Sequence, residues 1–309
     1  MSRSRIILVA VVAAAHLLAT GAGTARAYVR YRTEAGQPFA WPRTCLGIIA
    51  YPGSLADMLP AGQVVAATTA AVGAWSRGQV AGTALDIQMA AANGAAPAAA
   101  YDGQSSLMFR SDRWCKATDA PGICSYEPSA LALTTMFARS STGEILDADI
   151  EVNATLFMWS DLEVGTQASA GLQDLQNALT HEVGHFIGLD HPCLLPGAAA
   201  ATGRPLDNLG NLAPDCDAAP AAIVESTMFP SAMPGDLSKR TLAADDELAA
   251  REIYPAPAGA PAICDPPAPK PADPPDGCTV GGAAAPAPGA LAWLAAALAW
   301  GAARRRRWR

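Results

Sequence analysis

Histidine is nearly missing from this chain: 309 residues hold four. His16 lies in an N-terminal segment expected to be removed, which leaves three in the mature protein. Positive charge is also short. Residues 28–278 carry 13 Lys and Arg against all 28 Asp and Glu, a net charge of −15. Such a surface lacks the basic footprint that phosphates need, which excludes nucleic acid as a partner; it suits an exported, soluble domain. No internal repeat is visible. The cysteine set lacks evenness. Seven cysteines fit an oxidising compartment, and the odd count leaves one without an intrachain partner.

The two ends read as addressing devices. Arg3 and Arg5 precede an apolar run from Ile6 to Leu18, and Ala25-Arg26-Ala27 is a small-x-small cleavage site. Residues 1–27 therefore read as a secretory signal with Tyr28 as the mature N-terminus. At the other end, Ala283 to Ala303 is 21 residues without a charge, followed by five arginines in Arg304–Arg309. That length reaches the ~20 residues a bilayer span needs, and the arginines would hold their end in the cytoplasm. Pro286 and Pro288 shorten the strong apolar core to 290–303, which favours a transient sorting tail over a permanent span. The terminal arginines argue against a GPI signal. Residues 256–277 are rich in proline and read as an extended linker. One domain, 28–255, remains.

Within it, Leu46–Tyr51, Ala84–Met89 and Ser106–Phe109 read as strands. Val64, Thr68, Val72 and Trp75 form the stripe of a helix. Two strands, 130–139 and 144–153, flank a hairpin connection at Ser140–Gly143. A helix over 171–188 carries the histidines, and a final helix spans about 243–254. This order predicts an α/β domain with a mixed, twisted sheet. Cys115 with Cys124 closes a short loop and Cys193 with Cys216 a longer one; Cys45 with Cys264 is what then remains, and sequence alone does not settle the pairing. Cys278, directly before the tail, is the candidate odd cysteine and a candidate anchoring or processing point.

The three histidines stand in one run, HEVGHFIGLDH, from His181 to His191. Positions four apart share a helix face, so His181 and His185 can offer imidazoles to one metal with Glu182 beside it. Gly188 accepts backbone angles that end the helix and turn the chain, which lets His191 return to the same ion. Three imidazoles with an open position form a catalytic zinc arrangement. Zinc would activate water and polarise a carbonyl, and Glu182 would act as general base and then acid.

The run matches the extended zinc motif HExxHxxGxxH of the metzincin peptidases, and Leu189-Asp190 before the third histidine resembles their matrixin branch. Ser226-Thr227-Met228-Phe229-Pro230 resembles the methionine turn of that family, with Met228 as an apolar floor beneath the ligands. Leu242 to Pro255 resembles its closing helix, and 145–153 its strand before the active-site helix. The resemblance implies a metzincin-like zincin fold, a zinc metalloendopeptidase, and a substrate paired as an extended chain with an edge strand. It also brings a structural Ca2+ into view, as matrixins often bind one: Asp147, Asp149 and Glu151 read equally as a calcium-binding edge or as a solvated acidic edge, and no calcium ligand is assigned. Asp245 and Asp246 are expected to cap the last helix.

Three departures stand out. The 36 residues between His191 and Met228 exceed the matrixin spacing, so 192–226 is expected to be a disulfide-stapled insertion beside the cleft. Pro230 stands where astacin-like members carry a metal-reaching tyrosine, so no fifth ligand is expected. Pro42-Arg43-Thr44-Cys45 bears a loose likeness to a latency switch, although a disulfide is the preferred reading. The tail, Gly277-Cys278 onward, is similar to myxobacterial surface-sorting signals, which implies export machinery as a partner and a location at the cell surface, in the outer membrane, or outside the cell. A monomeric catalytic domain acting on protein or peptide is the leading expectation. A dormant metal-containing surface binding module and a zinc amidase acting on cell-wall peptide are the rivals.

Overall fold

The computed structural model describes residues 27–55, 58–162, 171–196, 205–257, Cys264 and 278–281. The expected signal peptide up to residue 26, most of the linker and the apolar tail from 282 lie outside the described residues. Among the described residues no helix is long and apolar enough to cross a membrane.

A mixed sheet forms the frame. Strand β1 is Val29–Arg30, β2 Cys45–Tyr51, β3 Asp86–Ala91, β4 Ser106–Arg110, β5 Ala132–Arg139 and β6 Ile145–Asn153. Five of them line up as β5-β6-β4-β2-β3, and Cys278–Gly281 (β10) extends the sheet beyond β5. β2 is parallel to β3 and β4, and β4 is parallel to β6. Parallel neighbours need a crossover, and helix α1, Ala61–Ala74, supplies one between β2 and β3. The 140–143 turn instead closes an antiparallel hairpin of β5 and β6. β2 and β5 alternate buried and half-buried positions, the period-2 signature of strands with one face on the core.

Val64, Thr68, Val72 and Trp75 are all buried, as a single apolar stripe requires. They bring α1 against the helix Leu175–Phe186 (α2), which lies under β5. α2 starts at 175, later than the pattern suggested, because Asp174 ends a short strand (β8, Gln173–Asp174) paired with Trp159–Ser160 (β7) and caps the helix through Asn177 N at 2.8 Å. After α2, Leu189–Asp190 (β9) pairs with β1, a two-stranded contact too short to show as a periodic pattern. A single helical turn, Ala221–Val224 (α3), and the closing helix Ala244–Ile253 (α4) complete the elements.

Three disulfides join Cys45 to Cys264, Cys115 to Cys124 and Cys193 to Cys216. Cys45 is therefore not a free thiol, which removes it as a latency switch. Asp147 and Asp149 are buried and accept backbone N–H groups from residues 100–106: Asp147 Oδ2 from Asp102 and Gly103, Asp149 from Ala100 and Ser106. Glu151 accepts from Arg110 Nε at 2.6 Å and from the Tyr126 hydroxyl. The acidic edge is therefore buried, not solvated, and it fastens the loops beside β6.

Candidate metal centre

The helix brings His181, Glu182 and His185 to one buried face, and the turn after it returns His191. The turn depends on Gly188. Its φ is +98°, and a Cβ there would lie 2.6 Å from the Phe39 carbonyl oxygen, so both conformation and space demand glycine. Cys193, two residues past His191, ties the start of the insertion to Cys216. The described far part of the insertion rests on the N-terminal segment: Asn208 N donates to Tyr28 O at 3.0 Å, and the Tyr28 hydroxyl donates to Glu252 at 2.8 Å.

The imidazoles are aimed by their outer nitrogens. His181 Nδ1 donates to the Thr227 carbonyl at 2.7 Å and His185 Nδ1 to the Leu189 carbonyl at 2.8 Å. A carbonyl can only accept, so both rings carry their proton on Nδ1 and turn the Nε2 lone pair inward. His191 Nε2 lies 3.2 Å from His181 Nε2 and 3.1 Å from His185 Nε2. One proton on His191 satisfies only one of those contacts; a cation satisfies all three lone pairs. Burial pushes all three imidazole pKa values down, His185 to about 4, so the rings are neutral and able to ligate. These observations fit a divalent metal held by His181, His185 and His191.

Glu182 lies beside this point. Its Oε2 accepts from the Thr134 hydroxyl at 2.7 Å, which orients the carboxylate from β5. Desolvation lifts the Glu182 carboxyl to about 7, against the opposing pull of that hydrogen bond and of Lys239. Met228 lies against the same helix. A Cβ on Gly184 would fall inside contact distance of Met228 Sδ and 2.9 Å from Trp75 Cζ2, so the methionine packs directly against the helix backbone.

Several residues complete the site that the motif did not announce. The Trp75 indole N–H donates to Thr180 O and the Trp41 indole N–H to Phe186 O, each at 2.8 Å. The Tyr254 hydroxyl donates to Ile187 O at 2.8 Å. Asp246 accepts from Thr227 N at 2.8 Å and Ala243 N at 3.2 Å, so it caps α4 and also fixes the turn that holds His181. Arg240 clasps Asp174 at 2.6 Å and Asp161 at 2.5 Å. Buried Lys239 donates through its backbone N–H to Asn177 Oδ1 at 2.7 Å and through Nζ to Phe229 O. Apart from Asp246 with Ala243 and Lys239 with Phe229, these contacts span more than 15 residues. A ring or amide that could bond anywhere carries no local signal of its partner; only the capping role of Asp246 was readable.

No protein-family model matches the chain, and no curated protein resembles it significantly.

Proposed function

We propose that this chain is a zinc-dependent endopeptidase of the metzincin kind, matrixin-like in pattern, and either secreted or held at the cell surface through its C-terminal tail. The observation that carries the catalytic reading is the pairing of three inward Nε2 atoms with a carboxylate one residue along, buried and oriented by Thr134. A structural metal would have no use for that carboxylate.

Zinc, when bound, supplies a Lewis acid that polarises the peptide carbonyl and acidifies water. The protein's own groups do the rest. His181, His185 and His191 hold the ion through neutral nitrogens, and the Thr227 and Leu189 carbonyls keep those nitrogens turned inward. Glu182 Oε takes a proton from the attacking water and hands it to the leaving amine nitrogen. Thr134 orients the carboxylate through its hydroxyl. An all-imidazole donor set supports zinc as the metal. The exported location rests on the sequence of the two ends.

The test compares the purified chain with Glu182→Ala on a peptide library while zinc content is measured. Cleavage by the parent, its loss in the variant, and about one zinc per chain in both would support the assignment. Zinc in both without cleavage in either would overturn it in favour of a dormant binding module. Cleavage of purified cell wall but not of protein would favour the amidase.

A further inference from the structure

Strand β10 runs along β5 in the antiparallel sense, with Cys278 opposite Arg139, Thr279 opposite Ala138, Val280 opposite Phe137 and Gly281 opposite Met136. Its direction is therefore from the far end of β5 toward Thr134, the residue that holds the Glu182 carboxylate. Both its position and its direction bear on the metal centre.

The disulfide between Cys45 and Cys264 makes this placement reachable. Cys45 opens β2. Because β2, β4 and β6 are parallel and β5 is antiparallel to β6, Cys45 and Arg139 lie at the same end of the sheet. From β2 to β10 is four strand steps, roughly 19 Å at about 4.8 Å per step. The 14 residues from Cys264 to Cys278 can extend up to roughly 46 Å. The bridge thus releases the chain at the correct end of the sheet with length to spare.

Beyond β5 the five-stranded frame would present a row of unpaired N–H and C=O groups. An extended peptide binds such an edge by main-chain hydrogen bonds. β5 is also the strand that touches Glu182, so a peptide laid out before the histidines would use the groups that β10 uses. The geometry points to the chain's own C-terminal segment as a tethered ligand of the β5 edge, a built-in competitor for peptide substrate. Its kinetic consequence rests on the peptidase reading; the pairing itself does not. With a tethered concentration of about 1 mM and an edge affinity of about 0.1 mM, the apparent KM would rise about tenfold with kcat unchanged.

The test uses the full chain and a full chain carrying Thr279→Pro with Val280→Pro. Successive amides face opposite sides of a strand, so one of the two prolines removes a ladder donor. In a Glu182→Ala background, amide hydrogen exchange at those amides of 136–139 that face β10 should be slower in the parent by about tenfold or more, with the rest of the sheet unchanged. Equal exchange at those amides overturns the proposal. In the Glu182 background, the proline variant should show the lower KM toward a reporter peptide at equal kcat. Equal KM values overturn the competition. Protection of 136–139 with no cleavage by either chain would support the tethered strand and count against the peptidase reading.

Discussion

Gly184 and Met228 share one space: no atom beyond hydrogen fits on the Gly184 Cα without meeting the methionine sulfur. The helix that carries the ligands and the turn beneath it are thereby in backbone-to-side-chain contact. Gly184→Ala should force Met228 or Trp75 to move, at a cost of about 1–3 kcal/mol for overpacking. Denaturant unfolding of the metal-free protein reads that loss. Unchanged stability would mean that the turn is free to retreat.

Thr134→Val removes the hydroxyl on Glu182 and nearly preserves volume. Hydrogen bonds to charged groups contribute about 1.5–3 kcal/mol, so kcat should fall about ten- to a hundredfold with little change in KM. The lost bond favoured the ionised carboxylate. Its removal should move the Glu182 pKa further up, and the acidic limb of the pH–rate profile should shift to higher pH. A drop in kcat without that shift would assign Thr134 to packing alone.

Arg240→Met leaves Asp174 and Asp161 buried without their cation, at the very start of the ligand-bearing helix. Removing one partner of a buried pair costs about 3–5 kcal/mol. Arg240→Lys should recover little, because Arg240 bonds both Asp174 oxygens, at 2.9 and 2.6 Å, in a fork that an ammonium does not reproduce. Thermal unfolding of the three proteins decides this, and full rescue by lysine would refute it.

Stability of the metal-free protein should fall as pH rises from about 6.5 to 8. Desolvation lifts Glu182 and Asp246 to about 7 and Asp149 to about 8. Over that window the folded state holds more protons than the unfolded state, in which carboxyls are already ionised, so each proton of difference removes about 1.4 kcal/mol per pH unit. The histidines act with the opposite sign, since their folded pKa values are depressed, but their contribution fades as the unfolded imidazoles titrate around 6.5, and Lys239, lowered by burial to about 8, opposes the fall only at the upper end of the window. Urea midpoints across the window provide the check; a rising midpoint would contradict it.

The three-histidine cluster was legible because it is local. An i, i+4 pair, a glycine and a histidine six residues on need no knowledge of the fold. The hairpin of β5 and β6 and the stripe of α1 were legible for the same reason: a period of 2 or 3.6 writes itself into consecutive residues. What was hidden is what crosses the chain. Thr134 is 48 residues from Glu182, and Arg240 is 66 from Asp174. Neither has neighbours that mark it, and a threonine in a β-strand looks the same whether it faces water or a carboxylate. The two-residue strands β1, β7, β8 and β9 are too short to carry a period at all.

The link from Asp246 through Thr227 to His181 also gives the protein a calendar. The first ligand takes its orientation from a carbonyl whose own peptide N–H is held by the last helix of the domain. A nascent chain that has emerged through His191 holds every metal donor and still lacks the part that aims one of them. Until residue 246 arrives, the Thr227 N–H lacks the carboxylate that fixes the turn holding His181. On the proposed peptidase reading, a fragment that stops short of α4 should therefore be inactive although it contains all three histidines.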